Sequence, residues 1–148
     1  MMYLDLANVE ATERLGACFA KALKAPSLIF LHGELGAGKT SFVRGLMRQF
    51  GHRGAVKSPT YTLIERYCLD GTVLYHLDFY RLKALEEFEY LGLDELFAEP
   101  AMVLIEWPEV AEALLPAADF SLKFSYTEAG RRVEIHPEQH SIEECFLA

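Results

Sequence analysis

Cysteine is scarce and poorly spaced in this 148-residue chain. The three present, Cys18, Cys68 and Cys145, are odd in number and form no close pair. That argues against a disulfide framework and against zinc, and all three read as small apolar fillers. The five histidines, His32, His52, His76, His136 and His140, show no metal-ligand spacing. No apolar run approaches the roughly 20 residues of a membrane span. Met1-Met2-Tyr3-Leu4-Asp5-Leu6 lacks the basic-then-apolar layout of a signal peptide. The expectation is a cytoplasmic protein that does not engage a membrane. Repeats, low-complexity runs and linkers are also missing, so residues 1–148 read as a single domain. Asn8 is the one asparagine, which excludes the N-K-x-D motif that reads guanine.

Positive charge is the last scarcity, and it is local. Residues 84–148 hold only Lys123, Arg131 and Arg132 against fifteen acids. Residues 39–83 reverse this, with eight Lys/Arg against three acids, while the whole chain is at −8. The acidic C-terminal half argues against tight direct nucleic-acid binding, which depends on neutralising backbone phosphates. Most of those carboxylates read as a solvated face, with a docking surface for a protein partner as the sharper alternative.

What the chain does have is ample apolar material, 51% hydrophobic and 12% aromatic residues, and one stretch with a strong chemical meaning. Gly33-Glu34-Leu35-Gly36-Ala37-Gly38-Lys39-Thr40 fits G-x-x-x-x-G-K-[ST] at every fixed position. Before it, Ser27-Leu28-Ile29-Phe30-Leu31 reads as a buried strand. After it, Phe42, Val43, Leu46 and Met47 recur at helical spacing. Strand, glycine loop and helix suit phosphate binding. Glycines let successive N–H groups turn inward, and the helix N-terminus adds a positive dipole end. Lys39 is placed to reach β- and γ-phosphates, and the Thr40 hydroxyl to bind Mg2+. The basic block surrounds this loop, as an anionic nucleotide requires.

In chain order, Tyr3 to Leu6 predicts an edge strand, and Asn8 caps an amphipathic helix over Glu10 to Lys24. Pro59 forbids helix around Val56 to Thr62, and Thr60 to Tyr67 alternates as a strand. The hydroxyls Ser58, Thr60 and Thr62 stand where related nucleotidases carry a γ-phosphate-sensing switch; an ordinary polar loop is the alternative. Asp70-Gly71 signals a hairpin. Val73 to Leu77 is largely apolar and ends in Asp78; Ala101 to Ile105 is fully apolar and ends in Glu106. A carboxylate ending a buried strand suits magnesium binding or orientation of the attacking water, and spacing alone does not rank the two. Asp78 can equally cap the next segment. Arg81 either compensates charge in cis or pairs with a surface acid, and Trp107 reads as core, adenine-stacking group or interface anchor. Short helices are expected at Leu85 to Leu91 and Asp94 to Phe97, a further one from Pro108 to Leu115, a hairpin from Asp119 to His136, and a terminal helix at Ser141 to Phe146. The expected fold is α/β, a three-layer phosphate-loop nucleotidase fold whose mixed, mainly parallel sheet carries antiparallel hairpins.

Four blocks in this order and spacing, Gly33 to Thr40, Val56 to Leu63, His76-Leu77-Asp78-Phe79-Tyr80-Arg81-Leu82 and Leu104-Ile105-Glu106-Trp107, resemble the TsaE (YjeE) family of bacterial ATPases needed to make threonylcarbamoyladenosine in tRNA. The resemblance runs from about residue 8 to about residue 136. It implies Mg2+-dependent ATP hydrolysis with Lys39, Asp78 and Glu106 as catalytic residues and with Thr40 and Glu106 as metal ligands. It implies nucleotide contacts from Glu34, Leu35, Gly36, Ala37, Gly38, Lys39, Thr40 and Ser41. Thr60 would act within the Ser58–Thr62 switch, and Val9 and Arg131 would approach the adenine. The family works on the TsaB–TsaD heterodimer, so tRNA would be met only through partners. A small-molecule kinase, which needs a lid and extra arginines, and a non-enzymatic nucleotide-binding module are the competing readings.

Overall fold

The computed structural model of the chain describes residues 1–56, 59 and 62–148. The strand β1 (Met2–Leu6) leads to α1 (Val9–Ala22), β2 (Ser27–His32), α2 (Lys39–Gln49), β3 (Ile64–Leu69) and β4 (Thr72–Asp78). Then come α3 (Leu85–Glu89), α4 (Leu93–Ala98), β5 (Met102–Glu106), β6 (Phe120–Thr127), β7 (Gly130–His136) and α5 (His140–Leu147). The strands form one sheet in the order β1-β7-β6-β2-β5-β4-β3. Its centre, β6-β2-β5-β4, is parallel, and hairpins add antiparallel pairs on both sides.

Side-chain alternation along these strands separates two cores. Ile29, Leu31, Leu74, Met102 and Leu104 face α1, α2 and α5, where they pack with Leu15, Phe19, Phe42, Leu46 and Phe146. Leu28, Phe30, Leu77, Val103 and Ile105 face the other way and pack with Phe88 of α3 and Leu96 of α4. The three layers expected from the sequence are therefore present, and β5, apolar on both faces, is buried along its whole length.

Local chemistry explains most boundaries. The Asn8 side chain accepts the Ala11 N–H at 2.8 Å and so starts α1. Asp70 and Gly71 take positive φ of 49° and 85° and close the β3–β4 hairpin. The strand expected from Thr60 begins only at Ile64. The Leu63 N–H donates to the Pro59 carbonyl at 2.7 Å, so the chain is still turning there; Thr60 and Tyr61 lie outside the described residues. The helix expected over residues 108–115 is two 3-10 turns, Pro108–Val110 and Glu112–Leu114, divided at Ala111 with φ −135°.

The expectation for the cysteines is overturned. Cys18 of α1 and Cys145 of α5, 127 residues apart, form a disulfide with Cα atoms 5.8 Å apart. The sequence offers no close pair; the topology makes one by laying α5 across α1. Cys68 is free and exposed, not a filler. No described helix is long and apolar enough to cross a membrane.

Candidate nucleotide site at the carboxyl edge of the sheet

The carboxyl ends of β2, β4 and β5 lie side by side. Leu31 of β2 pairs with Glu106 of β5, and Glu106 pairs with Asp78 of β4. The glycine loop leaves β2 at His32 and enters α2 at Lys39. Gly38 has φ 122°, a conformation that side chains resist, and it delivers the chain into the first turn of α2, where the Phe42 N–H donates to the Gly38 carbonyl. Glu34 and Leu35 stand exposed at the crown of the loop, and Ala37 is buried beneath it.

Among the described residues, four titratable side chains are buried, Lys39, His76, Asp78 and Glu106, and all four gather at this edge. The Lys39 ammonium donates to the Gly33 carbonyl at 2.6 Å and lies 4.1 Å from the centre of the Trp107 ring. Burial pushes its pKa down, while Glu106, Asp78 and Glu109 pull it up. Asp78 accepts the Tyr80 N–H at 2.9 Å, so it does cap the turn after β4. His76 Nε2 donates to a Glu106 oxygen at 2.6 Å. Trp107, at left-handed φ 57°, is half-buried with its ring against Tyr80.

Two small hollows flank the loop. One, about 180 Å³, is lined by Leu35, Gly36, Gly38, Lys39, Thr40, Ser41 and Glu106. The other, about 150 Å³, is lined by Asn8, Val9, Thr12, Gly130 and Arg131 and shares Gly36, Gly38 and Ser41 with the first. The sequence-predicted residues thus separate as a phosphate-sized side bearing Lys39, Thr40 and Glu106 and an outer side bearing Val9 and Arg131. Thr60 and Ser58 lie outside the described residues, so the expected switch does too. Arg81 is exposed on the turn after β4.

Tyr126, His76 and Thr12 were not singled out by sequence reasoning. The Tyr126 hydroxyl donates to the Leu35 carbonyl at 2.9 Å. The Arg131 guanidinium lies 4.2 Å over the Tyr126 ring and reaches the Gly36 carbonyl at 3.5 Å, so the β6–β7 hairpin braces the loop. His76 left a signal, a lone histidine on a largely apolar strand two residues before Asp78. Thr12, which lines the outer hollow, gives no signal beyond its helix.

This architecture is that of the phosphate-loop α/β proteins. Comparison with known proteins narrows the class. The family model described as "Threonylcarbamoyl adenosine biosynthesis protein TsaE" matches residues 6–133. A Haemophilus influenzae protein named "tRNA threonylcarbamoyladenosine biosynthesis protein TsaE" is 41% identical over 127 residues, covering 82% of this chain and 80% of its own. A Bacillus subtilis protein of the same name is 37% identical over 145 residues, covering 90% of each. The crystal structure of Bacillus subtilus YdiB superposes with a TM-score of 0.75 at 29% identity, covering 97% of this chain and 88% of that one. The chain belongs to the TsaE family, whose members act in threonylcarbamoyladenosine biosynthesis.

Proposed function

We propose that this chain binds ATP with Mg2+ between the Gly33–Thr40 loop and the Asp78–Glu106 edge and hydrolyses it. In this reading it is the ATP-driven accessory of a TsaB–TsaD heterodimer in the cytoplasm, and tRNA is reached through those partners. The observation that carries the reading is the gathering of all four buried titratable side chains of the described residues at the sheet edge beside the loop. Burying charge is costly, and such groups concentrate where chemistry needs them.

Loop N–H groups would cradle the phosphates, with the α2 N-terminus adding its dipole. Lys39, on releasing the Gly33 carbonyl, would neutralise β- and γ-phosphate charge. Asp78 would orient the attacking water. Val9 and Arg131 would bound the base. Thr40 and Glu106 would hold Mg2+, which would supply charge neutralisation across the phosphates. The donor set fits: one carboxylate and one hydroxyl, both oxygen, leave most positions to phosphates and waters, as Mg2+ prefers. No described group of three or more His, Cys, Asp or Glu makes a self-standing metal centre.

Phosphate release from ATP in water, with and without TsaB–TsaD, tests the reading, alongside a pull-down of that pair. Slow acceptor-independent release that the pair stimulates, and its loss in Lys39→Ala, is expected. ADP formation only with an added metabolite would point to a kinase. Turnover equal to wild type in both Lys39→Ala and Glu106→Ala would end the assignment.

A further inference from the structure

His76 lines neither of the two hollows beside the loop. It is fully buried on β4, on the same face as Asp78 and cross-strand from Leu104 of β5, one step from Glu106 on that face. Its neighbours along that face, Leu74 and Leu104, are apolar. A leucine would suit the position better, for His76 Nδ1 has no hydrogen-bond partner among the described residues. What the imidazole has is one short bond, Nε2 to Glu106 Oε2 at 2.6 Å. An ionised carboxylate only accepts, so the bond fixes the proton on Nε2.

We infer that His76 is a positioning residue for Glu106. It holds Oε2 from within the core, which fixes the carboxylate plane and leaves Oε1 as the donor for Mg2+. The inference rests on the reading of Glu106 as a metal ligand. It follows the general pattern in which a ligating carboxylate is itself hydrogen-bonded by a partner that never touches the metal. The one bond of this buried, half-satisfied histidine orients a carboxylate on the neighbouring strand.

The test compares His76→Gln, His76→Asn and His76→Leu in the full chain. A Gln amide nitrogen reaches the place of Nε2; an Asn amide reaches only that of Nδ1. Mn2+ affinity is measured by electron paramagnetic resonance with a non-hydrolysable ATP analogue bound, and analogue affinity is measured separately in EDTA. His76→Asn and His76→Leu are expected to weaken Mn2+ binding roughly 10- to 100-fold, with metal-free analogue affinity unchanged; His76→Gln keeps both. Equal Mn2+ affinity in all three variants overturns the inference. So does a parallel loss of metal-bound and metal-free affinity in all three, which would be a packing effect. Glu106→Gln is the control for the underlying reading: if it leaves Mn2+ affinity intact, Glu106 is not the ligand, and both fall. If His76→Leu does not fold, the Gln–Asn contrast decides.

Discussion

Burial lowers the Lys39 pKa even though Glu106, Asp78 and Glu109 act to raise it. The folded chain therefore binds this proton more weakly than the unfolded chain. Between the lowered value and the ordinary 10.5 the unfolded state carries more protons, so this group makes stability rise with pH in that window. Burial disfavours the charged form of Lys39 in the empty site, and phosphate charge would favour it. Lys39→Met retains the apolar stem and removes the cation. It is expected to abolish ATP binding in calorimetry and to leave Tm at or above wild type; a clear fall in Tm would show that the tether to Gly33 is structural. The loop residues were legible in the sequence because phosphate chemistry dictates their spacing. His76 and Tyr126 were not, because each acts through a partner, Glu106 or Leu35, that only folding brings near.

Among elements, the α1–α2 crossing sets where Lys39 stands, since α2 begins at that residue. The helices approach so closely that a Cβ on Gly45 would lie 1.9 Å from the Glu13 carbonyl oxygen, and one on Gly16 would lie 2.1 Å from that of Phe42. The obstacle is backbone, so it cannot rotate away. Gly45→Ala should force the helices apart at about 1–3 kcal/mol, or a Tm loss of roughly 2–4 °C per kcal/mol at this chain length. Nucleotide affinity should weaken with it. Thermal unfolding and calorimetry read the two effects, and an unchanged Tm would contradict the crossing described. From sequence, Gly45 is only a poor helix former; that its missing side chain sets an interhelical distance is tertiary information. Helices and hairpins with a cap or a turn dipeptide, such as Asn8 and Asp70-Gly71, were legible. Segment 108–115 was not, because its apolar spacing is helical and nothing in it announces the break at Ala111.

Across the whole molecule, topology decides what pattern cannot. The Cys18–Cys145 bridge joins residues from opposite ends of the chain. Charge shows the same effect. The basic block at residues 39–83 reads in sequence as an anion-binding surface, but folding spends much of it within the protein. Lys39 is buried, Arg44 and Arg48 pair with Glu13, and Arg66 pairs with Glu99 at 2.8 Å. Residues 84–122 add ten acids and no Lys or Arg. Half of the eight Lys/Arg in that block are thus engaged, and the net charge of −8 opposes a polynucleotide, whose non-specific affinity comes from cations that displace its counterions. The chain alone should therefore bind tRNA no more tightly than a Kd of about 10 μM at about 0.15 M salt, with a shallow dependence on salt. Filter binding across a salt series measures both. Sub-micromolar binding with a steep slope would place tRNA directly on this chain and remove the reason for reaching it through partners.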